Sequence, residues 1–185
     1  FPAFYIELYR PERDAYYSPR ISRWTKLKRK MKDQNSMIMF SRELTVSWGE
    51  SDPFGLVYYP MMFTWFNETE HELLRALGFP TNKLIKETRT AFVMGDVHFR
   101  FVGPAAYGDK VRTTIQLHKM GDSTIHWDCK AVQAASGDVI TEGRAIRIYA
   151  QILDDGNLKA CTIPENIRES LLQPGGLINL PDQDE

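Results

Sequence analysis

Only two cysteines, Cys129 and Cys161, occur in the 185 residues, too few to staple a small extracellular fold. No cysteine–histidine pair has the spacing of a metal site, so no structural metal is expected and no metal ligand is assigned. Long apolar runs are lacking as well. None approaches the roughly 18 uncharged residues that span a bilayer, and the first residues hold no continuous apolar core of an export signal. A net charge of −1 gives no long-range attraction to nucleic acid or an anionic membrane surface. Internal repeats and low-complexity segments are absent too. Together these absences lead us to expect a cytoplasmic protein that binds neither nucleic acid nor membrane.

What is present is a core: 43% of residues are hydrophobic and 12% aromatic, enough for one domain plus an appendage. The appendage shows in the charge. Residues 1–36 carry nine Lys/Arg against four Asp/Glu, leaving 14 against 20 for residues 37–185. This basic, aromatic-rich arm has no helix or strand period and reads as an extension of the fold, in contact with a partner subunit or an anionic ligand, or without a catalytic role. The patterned domain covers 37–172, and 173–185 reads as a frayed tail.

Within the domain, residues 37–48 read as a strand, and a loop, Gly49-Glu50-Ser51-Asp52-Pro53-Phe54-Gly55, follows. Tyr59-Pro60 then opens a helix of about 18 residues with Met62, Phe66, Leu73 and Leu77 along one face. Pro at its start and Gly78 past its end are the expected punctuation. After a short linking segment, four strands are expected near 91–101, 110–120, 124–134 and 139–153, divided by Gly103-Pro104, Gly121-Asp122 and Ser136-Gly137-Asp138. Val97, Phe99 and Phe101 alternate with His98 and Arg100, the pattern of a half-buried strand. A short final helix follows Pro164. One long helix and five antiparallel strands with one apolar face predict an α+β fold, a sheet wrapped around a single helix.

The loop before the helix is where chemistry is expected. Unpaired N–H groups and the positive end of the helix dipole can hold an oxyanion, while Asp52 supplies a base or nucleophile. Pro60 has no N–H, so the donor is Tyr59, Tyr58 or a residue after Pro60. Taken alone, Asp-Pro-x-Gly is ordinarily a turn whose Asp caps local backbone. Here, however, Gly49, Asp52, Pro53, Gly55, Val57, Tyr59 and Pro60 together resemble the active-site signature of the 4-hydroxybenzoyl-CoA thioesterase family. Phe101-Val102-Gly103-Pro104-Ala105-Ala106-Tyr107-Gly108-Asp109 is similar to that family's strand-to-turn segment. Arg147-Ile148-Tyr149-Ala150 and Ile163-Pro164 are similar to its last strand and exit.

The resemblance, which spans about residues 41–170, implies a hot-dog fold, a homodimer or a homotetramer of two dimers, and active sites at the subunit interface. It implies hydrolysis of an aromatic or short-to-medium acyl-CoA thioester, with CoA as part of the substrate and no other cofactor. Asp52 takes the catalytic position as nucleophile or general base, and Tyr59 the position whose N–H meets the thioester oxygen. Of the family's basic residues before the fourth strand only Lys119 retains a charge, in Lys119-Met120-Gly121-Asp122; Lys159 matches a second basic position. Both are candidates for the CoA phosphates. The thinning of these charges leaves an acyl carrier protein as an alternative carrier, and a non-catalytic acyl-CoA-binding or regulatory module as an alternative function.

Other candidates read more simply as structure. Glu68, Glu70, His71 and Glu72 suit a solvated or interface helix face, although related thioesterases place their carboxylate there. His98 and Arg100 suit sheet contacts, and His118 and His126 stand alone. Phe63, Trp65 and Phe66 suit the core, and Cys129 a small buried hydrophobe. Tyr58, beside the loop, is a candidate for lining the substrate.

Overall fold

The structure, a computed structural model, describes residues 37–173. The basic arm expected at 1–36 and all but the first residue of the tail expected at 173–185 lie outside the described residues. Strand β1 (Met39–Thr45) leads through a single 3-10 turn (Trp48–Glu50) into helix α1 (Pro60–Ala76) and helix α2 (Thr81–Thr88). Strands β2 (Thr90–Phe101), β3 (Lys110–Met120), β4 (Thr124–Gln133), β5 (Val139–Ile152) and β6 (Leu158–Ala160) follow, then helix α3 (Glu165–Leu172). All pairings are antiparallel, in the order β1-β3-β4-β5-β2, with β6 alongside the end of β5.

Helix α1 forms where the punctuation places it, with Pro60 at its first position and Gly78 in the left-handed region at φ +86° after the Leu77 cap. Its inner stripe, Met62, Phe66, Leu73 and Leu74, is buried on the concave face of the sheet. Alternate residues meet it there: Phe40 of β1, Val111, Ile115 and Leu117 of β3, and Ile125, Trp127, Cys129 and Ala131 of β4. At roughly 25 cal/mol per Å2 of apolar area, this burial is the main favourable contribution to folding.

The five expected strands are present, and β6 adds a sixth too short to show a period. The first strand stops at Thr45 instead of reaching Trp48, because the Ser47–Glu50 capping box winds the chain into the 3-10 turn. The expected linking segment after α1 contains α2, whose only buried residue is Leu84.

Among the described residues, strands β1 and β2 are the sheet's edges. β2 is crossed closely by β5 at Gly143, where a Cβ would lie 2.0 Å from the His98 carbonyl oxygen. It also carries a register shift between Met94 and Asp96, a bulge at Gly95. Phe101, expected to turn inward with Val97 and Phe99, is 48% exposed at the end of the strand.

Candidate active site

Residues 46–59 form a loop pinned at both ends. The Val46 N–H donates to the Asp109 carbonyl (2.9 Å), and the Val57 N–H to the Ala105 carbonyl (2.8 Å). Gly55, at φ +78°, closes the turn by donating to the Asp52 carbonyl. Glu50 clamps the loop to the helix. Its Oε1 accepts from the Trp65 indole at 2.7 Å, and its Oε2 from the Ser47 N–H and hydroxyl at 2.7 and 2.8 Å. Burial pushes the Glu50 carboxyl up, but these bonds and the Arg42 charge outweigh it and hold the group below its ordinary range. Both Glu50 oxygens are thus committed to structure.

Asp52 is arranged differently. Its Oδ1 accepts from the Phe54 and Leu56 N–H groups, at 2.8 and 3.1 Å, which fixes the carboxylate in the turn. Its Oδ2 bonds to no described atom and stays open to a substrate or water. The two roles weighed from sequence therefore coexist: one oxygen caps the turn and the other is available.

The three sequence candidates for the oxyanion donor reduce to one. Tyr58 N–H donates to the Glu50 carbonyl (2.7 Å), Met61 N–H to Tyr58 (2.8 Å) and Met62 N–H to Tyr59 (3.2 Å). Pro60 has no N–H, so among the described residues the Tyr59 N–H is the free donor at the start of α1. The Tyr59 ring packs against the Phe101 ring at a centroid distance of 6.0 Å and against Tyr58 at 5.3 Å. Tyr58 and Tyr59 are both exposed beside the loop.

Lys119 and Lys159 lie elsewhere. The loop joins the sheet where β3 begins, at Lys110, whereas Lys119 is nine residues along β3, about 30 Å away at strand rise. Lys159, in β6, sits at that same far end, beside Gln151. There the Gly121-Asp122 hairpin is tied to the exit segment by Thr162 Oγ1 donating to Asp122 (3.1 Å) and by Arg168 donating to the Gly121 carbonyl (2.9 Å). Within one chain the structure does not bring the lysines to Asp52.

The helix carboxylates separate in the same way. Glu72 pairs with Arg42 at 3.0 Å near the surface, whereas Glu70 is only 4% exposed. Glu70 pairs with Arg147 of β5 at 2.5 Å and accepts from the Trp127 indole at 3.1 Å; Arg147 also donates to Asn67 at 2.8 Å. Burial pushes the Glu70 carboxyl up, against the pull of Arg147. This buried network went unread in the sequence. Its signal was an Arg at an inward position, between Ala145 and Tyr149. Cys129 is buried and its thiol is driven well above its ordinary range by burial and the nearby carboxylates, so it is no nucleophile. Among the described residues, no group of three or more His, Cys, Asp or Glu is placed to hold a metal ion. No described helix is long and apolar enough to cross a membrane.

A carboxylate with one free oxygen beside a free helix N-terminal N–H is the arrangement on which thioester cleavage by a carboxylate rests, and residues 46–171 match the family model of the thioesterase-like superfamily. The chain belongs to this superfamily. Its described domain is of the thioester-hydrolase class and has the hot-dog fold of the 4-hydroxybenzoyl-CoA thioesterases.

The superfamily domain is similar to the L-carnitine dehydrogenase/betainyl-CoA thioesterase of Rhizobium meliloti (strain 1021), at 29% identity over 90 residues. That match takes in 44% of this chain, which spans only 18% of that relative's length. Among solved structures, a gentisyl-coenzyme A thioesterase is 27% identical with a TM-score of 0.62, covering 69% of this chain and 98% of its own. The 4-hydroxybenzoyl-CoA thioesterase of Pseudomonas sp. strain CBS-3 aligns at 18% identity and a TM-score of 0.66, over 71% and 98%. A 1,4-dihydroxy-2-naphthoyl-CoA thioesterase from Synechocystis aligns at 17% and 0.66, over 72% and 96%. The last two speak for the fold.

Proposed function

We propose that the protein hydrolyses an aromatic or short-to-medium acyl-CoA thioester to the free acid and CoA, with Asp52 as the reacting carboxylate. The observation that carries this is that the loop before α1 leaves both Asp52 Oδ2 and the Tyr59 N–H without a described partner. The thioester oxygen accepts from Tyr59 N–H. Asp52 then either takes a proton from an attacking water or attacks the carbonyl carbon itself. The tetrahedral oxyanion collapses with loss of the CoA thiolate, which leaves readily enough to need no Ser-His-Asp triad. In the second course water cleaves the resulting anhydride, and rapid-quench trapping of an acylated Asp52 separates the two.

The active assembly is a homodimer or a dimer of dimers. Two features support this: Lys119 and Lys159 lie at the opposite end of the sheet from Asp52, and the β2 edge exposes Met94, Phe101 and Val102. Side-by-side antiparallel pairing across a two-fold axis brings one subunit's lysines toward its partner's Asp52. No cofactor beyond the CoA of the substrate is needed, and an acyl carrier protein remains an alternative carrier.

Thiol release from benzoyl-, 4-hydroxybenzoyl-, phenylacetyl- and straight-chain acyl-CoA, for wild type and Asp52→Asn, tests this. The Asn side chain keeps the oxygen that caps the turn, so the variant folds, and turnover falls by about 100- to 10,000-fold. Equal activity of the two proteins would remove Asp52 from the mechanism. Inactivity of wild type on every thioester would favour a non-catalytic acyl-CoA-binding module.

A further inference from the structure

Resting on the proposed placement of the CoA phosphates at the Lys119 end of the sheet, we infer that the outer face of β3, β4 and β5 holds a phosphate monoester among Lys119, His126 and Arg144, with His126 as the member whose protonation sets the affinity. A bulge in β3 makes the cluster. Successive strand residues ordinarily alternate between faces. Here the register shifts between Leu117 and Lys119, so His118 and Lys119 share the outer face while Leu117 stays buried. Lys119 stands directly opposite His126 of β4, whose neighbours Ile125 and Trp127 point into the core. Side chains so opposed have Cβ atoms about 5 Å apart. Asp128 follows two residues along the same face, with Arg144 of β5 opposite it.

The carboxylates around His126 are occupied or set apart. Asp128 is buried; its Oδ1 accepts from Arg144 Nε at 3.0 Å and its Oδ2 lies 3.1 Å from His118 Nδ1. Asp96 sits one strand further, on β2 across from Ile146, which itself stands opposite His126. Asp122, in the hairpin, accepts from Thr162. Lys119 and Arg144 against Asp128 leave one positive charge when both imidazoles are neutral. Burial, and the charges of Lys119, His118 and Arg144, hold the His126 imidazole below its ordinary range. Its Nε2 meets Thr124 Oγ1 at 3.5 Å, the limit of a hydrogen bond. The Arg144 side chain is 60% exposed, and Lys119 has no ion pair or hydrogen bond with a described residue. A phosphate dianion reverses the balance at His126, because it offsets the cations that disfavour the imidazolium. Its several acceptor oxygens suit an ammonium, a guanidinium and an imidazolium together. Binding therefore takes up a proton. The gain in affinity is present below the imidazole's unbound value and is lost as pH rises through its raised, bound value.

Two measurements on the full chain test this, and neither needs turnover. In the first, the His126 ring protons of wild type are titrated by NMR in sodium sulfate and in sodium chloride of equal ionic strength, sulfate being a dianion throughout the range. Sulfate should raise the His126 midpoint above its value in chloride; equal midpoints would overturn the site. In the second, calorimetry compares CoA with dephospho-CoA, which lacks the 3′-phosphate. Wild type should favour CoA by about tenfold at about pH 6.5 and by less than about threefold at about pH 8.5, a tenfold change matching one unit in the imidazole's value. His126→Gln should show the same small ratio at both. A sulfate effect with equal binding of CoA and dephospho-CoA would support the site for free phosphate and overturn its link to the nucleotide. Asp52-dependent hydrolysis without either effect would remove the site and leave the proposed activity standing. Both effects in a protein inactive on every thioester would keep the site and remove the activity.

Discussion

The two ends of this sheet are furnished differently. At one end, Asp52 and the Tyr59 N–H offer a reacting carboxylate and an oxyanion donor, while the carboxylate beside them, Glu50, is wholly occupied in holding the loop. At the other, Lys119 and Lys159 each lie three residues from the Thr162–Asp122 bond and supply positive charge. On the proposed reading, the contrast teaches that a single chain carries two halves of a site about 30 Å apart at strand rise. On that reading, chemistry and phosphate binding are separable properties of two surfaces.

The strongest way to break this picture is complementation. Asp52→Asn is inactive for want of the carboxylate, and Lys119→Glu/Lys159→Glu is weakened for want of the cations. When the two are mixed and allowed to exchange subunits, half the dimers are mixed and each holds one intact composite site, so about a quarter of wild-type activity should return. Activity that never exceeds the sum of the separate proteins would show that each site is confined to one chain.

A smaller effect comes from the lysines alone. Lys119→Glu or Lys159→Glu should raise KM for an acyl-CoA by about tenfold with kcat nearly kept, because the phosphates are bound equally in ground and transition states. The increase should shrink in high salt, as expected for exposed charges. A loss confined to kcat would place these residues nearer the chemistry than the structure does.

The smallest effect concerns the clamp. Glu50 is held below the ordinary carboxylate value of 4.5, so its contribution to stability is present above that pH and is lost as pH falls through the folded-state value. Wild type should therefore lose melting temperature more steeply than Glu50→Gln as the pH is taken below the ordinary carboxylate value of 4.5. Parallel melting curves would mean that Glu50 is not what fastens the loop.

Much of the fold was legible in the sequence because its elements are long and strongly patterned. β3 runs over the expected residues, and β2, β4 and β5 depart by no more than a residue at either end. Helix α1 was fixed by Pro60 and Gly78. The misses have local causes. Helix α2 buries only Leu84, so no apolar stripe announces it, and β6 is three exposed residues with no period. In the candidate site, the Asp52 turn and the Tyr59–Pro60 helix start are neighbours in sequence and could be read together. The choice of Tyr59 as donor came from the family resemblance and not from the residue pattern, which left Tyr58 open, because it depends on Glu50 taking the Tyr58 N–H. The Glu70–Arg147 pair could not be read either, since its members are 77 residues apart and meet only through packing of α1 on β5.

Strand β2 also bears on how the polypeptide survives its own synthesis. An edge of twelve residues, with Met94, Phe101 and Val102 exposed along and just past it, is a template on which nascent or damaged chains can stack without limit. The kink at Gly95 and the charges of Asp96 and Arg100 restrict which strand can lie there and in what register. A two-fold partner satisfies the edge and ends the series at two, whereas an off-register copy would leave a fresh edge exposed. If the proposed pairing holds, quality control of this protein turns on how quickly each newly made edge finds its own copy.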